Sequence, residues 1–181
     1  LKLHDHDKRY PNLIDKIKVK GIVEQIIGKE YVIPMLCGPY RNANDIPWNE
    51  LPNQFVVKCN HDAASVLVCK DKSQFDVKSA IIKLNSSLRK NYYHSLGKQW
   101  GYKDIEPYVF VEKYMEDHIH EELVDYKFMF FNNVCKCLFI CVERKSDTGL
   151  KLNFYTPQWD QMPFTRKYPS TLYPEPKPKT L

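Results

Sequence analysis

The stretch Phe55-Val56-Val57-Lys58-Cys59-Asn60-His61-Asp62-Ala63-Ala64-Ser65 carries the fold. Its first five residues are aromatic or β-branched enough to read as a strand, and Val66-Leu67-Val68-Cys69 reads as a second strand after a loop of small and polar residues. The two are expected to pair as a hairpin. A strand fixes a lysine ammonium in space, and a small-residue loop can turn backbone N–H groups toward phosphate oxygens. Lys58 with the loop residues His61, Asp62, Ala63, Ala64 and Ser65 therefore suits an anionic phosphate ligand. By itself the pattern also fits an ordinary exposed hairpin with a lysine at its tip, so the flanking segments decide.

Upstream, Asn12 is placed to cap a helix over 13–27, with Asp15 in its first turn and Gly28 as its stop. Residues 31–34 read as a short strand. Residues 37–53 are punctuated by Gly38-Pro39, Pro47 and Pro52 and read as a connecting segment anchored by Trp48 and Leu51. Downstream, Asp76 precedes a helix in which Val77, Ala80, Ile81, Leu84, Leu88 and Tyr92 repeat at helical spacing. Residues 108–112 form a strand, and Asn132-Asn133 joins two further strands, 126–131 and 134–142, as a hairpin. Residues 152–155 add a short strand, and the Pro-rich tail from Tyr173 reads as a linker. Strands and helices so mixed predict an α+β fold. The strand at 108–112 leaves its sheet at Glu112, Lys113, Tyr114 and Met115, where backbone groups can read an adenine edge while Met115 packs on the ring.

Composition sets the bounds. The 181 residues are 43% hydrophobic and 27% charged, an ordinary globular balance with a packed core. A formal charge of +5 is too small to argue for nucleic acid and suits a small anionic ligand. No apolar run reaches the roughly 18 residues of a membrane helix, and the charged start lacks a signal-peptide pattern, so a cytoplasmic protein without a membrane span is expected. The six cysteines lie mostly in apolar strands as reduced thiols. Cys135, Cys137 and Cys141 share strand parity but give poor tetrahedral reach for zinc, and the His/Asp/Glu clusters at 4–7 and 118–122 read as surface charge, so no metal site is assigned. Ser65 has no base at a recognisable spacing. Lys127 is either a phosphate contact or a solvated strand residue.

Several stretches together resemble the TupA-like ATP-grasp family of bacterial surface-polysaccharide gene clusters. They are Leu1-Lys2-Leu3-His4-Asp5, Asp15-Lys16, Ile27-Gly28-Lys29-Glu30-Tyr31-Val32-Ile33-Pro34 and Leu51-Pro52-Asn53-Gln54-Phe55-Val56-Val57-Lys58-Cys59-Asn60-His61-Asp62, then Cys69-Lys70-Asp71-Lys72-Ser73, Asn91-Tyr92-Tyr93, Glu112-Lys113-Tyr114-Met115-Glu116-Asp117, Asp125-Tyr126-Lys127-Phe128, Asn153-Phe154-Tyr155 and Met162-Pro163-Phe164. The resemblance implies an ATP-grasp fold: two lobes with antiparallel sheets flanked by helices, clasping ATP. Its expected divisions are 1–52, a helical and linker segment; 53–111, the lobe with the phosphate-binding hairpin; and 112–181, the hinge and a partial second lobe. It implies that Lys16 and Lys58 contact ATP phosphates, that Glu112 to Met115 receive adenine, and that one of Glu116, Asp117, Glu121 or Glu122 holds the ribose. Arg144 and Lys127 become candidates for stabilising the reacting phosphoryl group or the acceptor. The family's Mg²⁺ ligands are expected past the Pro-rich segment near residue 174, which leaves the second lobe incomplete and the chain inactive alone. Ala63 and Ala64 stand where the family is richer in glycine, which reduces backbone freedom in the loop.

The activity implied is an ATP-dependent carboxylate–amine ligase acting on a uronic-acid or amino-acid group of a polysaccharide precursor. A glycosyltransferase would instead consume a nucleotide-sugar without ATP, a sugar kinase would leave a phosphorylated glycan, and a non-catalytic nucleotide-binding fragment would do neither.

Overall fold

The computed structural model describes residues 4–95, 98–116, 123–143 and 146–179. The chain divides into two compact units, one up to Tyr114 and one from Met115 onward.

The first unit is built on a four-stranded antiparallel sheet of β1 (Met35–Tyr40), β2 (Phe55–Cys59), β3 (Leu67–Cys69) and β4 (Val109–Lys113), in the order β1-β4-β2-β3. The expected hairpin forms, with Phe55 opposite Cys69 and Val57 opposite Leu67. On its other side β2 pairs with β4, so that Phe55 faces Lys113 and Cys59 faces Val109. Strand alternation then divides the side chains. Phe55, Val57, Cys59, Val109 and Val111 join Leu84 in the buried core, whereas Val56, Lys58, Phe110 and Glu112 fall on the opposite face. Helix α3 (Val77–Leu88) covers the core face with Ala80 and Leu84, as its spacing predicts. The Asp76 carboxylate accepts from the Ser79 amide at 3.0 Å and starts it. Trp48 and Leu51 are anchors as expected: Leu51 is buried, and Trp48 packs between Phe55 and Phe75 with its indole N–H donated to the Ala43 carbonyl.

Two local expectations change. The helix expected over 13–27 is broken into α1 (Tyr10–Ile14) and α2 (Lys18–Ile27). Asp15 is the break: its ψ is 112°, and its buried carboxylate accepts from the Ile17 and Lys18 amides at 2.9 and 3.3 Å. A short acidic side chain competes with the helix for backbone amides, and here it wins because Asn60 donates to its second oxygen at 3.0 Å. Gly28 stops α2 as expected, at φ 107°. The strand expected at 31–34 is replaced by a 3₁₀ turn, Lys29–Tyr31, and pairing begins at Met35. Strand β1 thus runs into the segment read as a connector, because Gly38 and Pro39 disguise it. At Gly38 the φ is 108° and a Cβ would stand 3.0 Å from the Phe110 Cβ, so glycine lets the irregular β1 approach β4 closely.

The second unit is a three-stranded antiparallel sheet of β5 (Asp125–Phe131), β6 (Val134–Val142) and β7 (Lys151–Tyr155), in sequence order. Asn132 and Asn133 have φ 49° and 62°, the left-handed pair that a tight hairpin turn requires. Leu138, Ile140, Val142 and Tyr155 form one buried cluster, and Cys141, Leu152 and Phe154 form another. All six cysteines are free thiols. The tail expected as a linker is instead tied to this sheet. The Leu152 amide donates to the Pro169 carbonyl, the Thr171 amide to Asn153, and the Glu175 amide to the Tyr155 hydroxyl at 2.8 Å. Among the described residues no helix is long and apolar enough to cross a membrane.

Candidate functional site

The face of the first sheet away from α3 carries the charges. Lys58 stands opposite Phe110, and Glu112 stands two residues further along β4, a diagonal cross-strand pair. The Lys58 Nζ lies 2.5 Å from Glu112 Oε2, and its ammonium sits 5.6 Å above the Phe110 ring. The other oxygen, Oε1, is 2.5 Å from Lys20 Nζ on α2. Lys20 also donates to the Ile33 carbonyl at 2.6 Å. Glu112 is thus a buried carboxylate shared by two ammonium groups, each attached to a side chain less than one-fifth exposed. Around it lies an open pocket of 290 Å³, lined by Lys16, Lys20, Lys58 and Glu112 on the charged side and by Val19, Val23, Tyr31, Val32 and Ile33 on the apolar side.

Lys16 precedes α2 and turns inward to the loop. Its ammonium donates to the carbonyls of Cys59 at 3.1 Å, Asn60 at 3.4 Å and Asp62. Burial pulls its pKa below the ordinary lysine value, against the opposing charge of Asp62. The loop itself is closed by side chains. Asn60 is fully buried, donates to Asp15 and the Glu106 carbonyl, and accepts from the Tyr108 amide at 2.7 Å. Ser65 accepts from the Cys59 amide at 2.9 Å and donates to Asp62 at 2.6 Å, bridging the two ends of the loop. Asp62 also takes the Ser87 hydroxyl. Burial pushes the Asp62 carboxyl upward, but the Ser65 and Ser87 hydroxyls outweigh it and hold the group below its usual range. His61 is buried with Nε2 3.1 Å from both the Ser87 and Lys90 carbonyls, so that nitrogen carries the proton and ties the loop to the end of α3, and among the described residues Nδ1 has no partner. Ala63 and Ala64 form the exposed tip.

The structure therefore gathers Lys16, Lys58 and Glu112 at one pocket, with the 60–65 loop held by Lys16. Lys113 and Met115 are exposed, and Tyr114 is half-exposed, at the end of β4. Lys127 lies in the second unit, exposed and 2.9 Å from the Asp125 carboxylate. Arg144 lies outside the described residues, as do Asp117, Glu121 and Glu122. Sequence reading passed over Lys20. The signal was present, because in the helix expected over 13–27 Lys20 follows Lys16 by four residues and falls on the same face. A second recess of 430 Å³ borders the loop on the α3 side, lined by Ala64, Ser65, Ser79, Ile82, Lys83, Ser86, Ser87 and Lys90. Its lysines are exposed and it holds no buried charge, so the smaller pocket is the better ligand site.

An α+β unit with ammonium groups gathered over an open sheet face, beside an apolar wall, defines a pocket for an anion with an apolar part, such as a nucleotide. The model of the family described as TupA-like ATPgrasp matches residues 1–176, and the chain belongs to that family. No curated protein and no solved structure matches the chain. Family membership brings the ATP-grasp fold and ATP-dependent ligase-type activity as a general class. ATP-grasp proteins generally use ATP with Mg²⁺. The pocket fits the nucleotide, since its ammonium groups suit phosphate and its valines and Ile33 suit a base. Among the described residues no group of three or more His, Cys, Asp or Glu side chains is placed to hold a metal ion.

Proposed function

We propose that this chain is the nucleotide-binding part of an ATP-dependent carboxylate–amine ligase that acts on a uronic-acid or amino-acid group in a bacterial surface-polysaccharide precursor. One observation carries the reading: Lys16, Lys20 and Lys58 converge with Glu112 on a pocket that has an apolar wall. Two ammonium groups, Lys20 and Lys58, against the one carboxylate of Glu112 leave positive charge for phosphate oxygens while Lys16 holds the loop, and Val19, Val23 and Ile33 offer a surface for a purine.

In the reaction, a substrate carboxylate oxygen forms a bond to the γ-phosphorus while the bond to the β,γ-bridging oxygen breaks and ADP leaves. An amine then attacks the acyl carbon and inorganic phosphate departs. Preorganised ammonium groups stabilise charge on the transferring phosphoryl group because they are already in place when it develops. Lys58 on β2 and the loop held by Lys16 are the groups this chain contributes to that task.

The test is isotope tracing with the full-length protein, ATP, an ¹⁸O-labelled uronic acid and an amine. Transfer of one labelled oxygen to inorganic phosphate, with ADP release that requires both carboxylate and amine, is the expected result. ADP release independent of either substrate, or turnover of a nucleotide-sugar without ATP, would overturn the reading.

A further inference from the structure

We infer that Lys20 is a positioning residue of the pocket: by occupying one oxygen of Glu112 it keeps Lys58 from being neutralised and leaves the Lys58 charge for an anionic ligand. The identity of that anion as a nucleotide rests on the function proposed above.

Glu112 has one negative charge and two oxygens, and each oxygen faces one ammonium at 2.5 Å. The two lysines are not equivalent. Lys20 is held from a second side by the Ile33 carbonyl at 2.6 Å, within the apolar wall of the pocket. Among the described residues the Lys58 ammonium has no hydrogen-bond or ion-pair partner besides Glu112, and it sits over the Phe110 ring. Lys16 does not compete for the same task, because its three N–H donors meet three loop carbonyls. The unspent positive charge therefore resides on Lys58. Without Lys20, the whole charge of Glu112 turns to Lys58, and the two become a neutral pair with little pull on phosphate. Lys20 thus acts on the ligand through Glu112 and Lys58.

The test titrates the full chain calorimetrically with ATP, adenosine and inorganic tripolyphosphate, comparing wild type with Lys20→Met, Lys20→Gln and Lys20→Arg. The glutamine variant keeps a donor for Ile33 without the charge, and thermal melts verify that each variant is folded. Lys20→Met and Lys20→Gln should bind ATP and tripolyphosphate about tenfold more weakly while adenosine changes by less than about twofold, and Lys20→Arg should restore ATP binding. An equal loss for adenosine and ATP, or wild-type affinity for tripolyphosphate in Lys20→Gln, would overturn the inference and leave Lys20 as a brace for the wall. Lys20-dependent binding of tripolyphosphate without binding of ATP would sustain the role of Lys20 and defeat the nucleotide reading. If wild type binds neither anion, both fall.

Discussion

Glu112 and Lys58 are joined diagonally across the β2–β4 ladder, with Glu112 opposite Val56, Lys58 opposite Phe110, and 2.5 Å between carboxylate and ammonium. The register fixes this pair. A slip of one residue would send Glu112 to the α3 face, among the buried apolar side chains of Val57, Val109 and Leu84. Two ammonium groups depend on the one carboxylate, so its loss costs more than a single surface ion pair. Glu112→Gln should lower stability by about 3 kcal/mol, since removing one partner strands buried charge. Urea denaturation checks this; an unchanged midpoint would mean that the lysines do not rely on Glu112.

Asp62 gives the chain a specific sensitivity to acid. Burial raises its carboxyl, the Ser65 and Ser87 hydroxyls and the Ser65 amide lower it, and the net folded value lies below the unfolded value of 3.8. A depressed folded value means that the group stabilises the fold fully above the unfolded value and ceases to do so as pH falls through the folded one. Asp62→Asn should therefore be less stable than wild type near neutrality, and the gap should narrow below about pH 4. Denaturant midpoints measured across that range would show it. A gap independent of pH would separate the destabilisation from the charge of Asp62.

The carbonyls of Cys59, Asn60 and Asp62 turn toward one ammonium, that of Lys16. Lys16→Met takes the ammonium from all three carbonyls, leaving that of Asn60 the backbone amide of residue 16 at 3.3 Å, and should cost about 2 kcal/mol. The effect should be local. Amide exchange at Cys59 and Ser65, which are bonded to the Ser65 hydroxyl and the Asp62 carboxylate, should speed up by at least about tenfold, while exchange in the β5–β6 hairpin stays unchanged. Equal acceleration in both places would point to global destabilisation and away from a loop held by Lys16.

The parts of the fold that follow from local patterning were legible in the sequence. The Asp76 cap, the Ala80 and Leu84 stripe, the Asn132-Asn133 turn and the β2–β3 hairpin each need only neighbouring residues to specify them. What escaped depends on distant partners. Asp15 breaks its helix because Asn60, 45 residues on, fixes its second oxygen. Strand β1 is hidden by Gly38 and Pro39, whose backbone geometry makes sense only against Phe110. The Pro-rich tail reads as a linker until Tyr155 and Trp159 are found holding Glu175. The same holds at the site. Lys58 stood out at its strand end and Glu112 only as part of an expected adenine hinge, whereas the pairing of Glu112 with Lys58 and Lys20 emerges only when β2 and α2 are laid beside β4.

Cys59 reports on the whole of this arrangement. It ends β2, is fully buried, and supplies a carbonyl to Lys16 and an amide to Ser65. Burial pushes its thiol up to about 11, so the reactive thiolate is scarce at mildly alkaline pH and the reagent has no access in the native state. Cys135 and Cys137 are only half-buried on β6. Timed iodoacetamide labelling read by peptide mass spectrometry should modify Cys135 and Cys137 first, with Cys59 slower by at least on the order of a thousandfold. Because Cys59 becomes accessible only when the first unit opens, its labelling should follow the equilibrium population of the opened state. In Glu112→Gln a loss of about 3 kcal/mol corresponds to about a hundredfold rise in that population and in the Cys59 rate. The rates at Cys135 and Cys137 should stay near wild type, since they sit in the other unit. Fast Cys59 labelling in the wild-type protein would show that the loop opens without unfolding, and that Lys16 and Ser65 do not hold it closed.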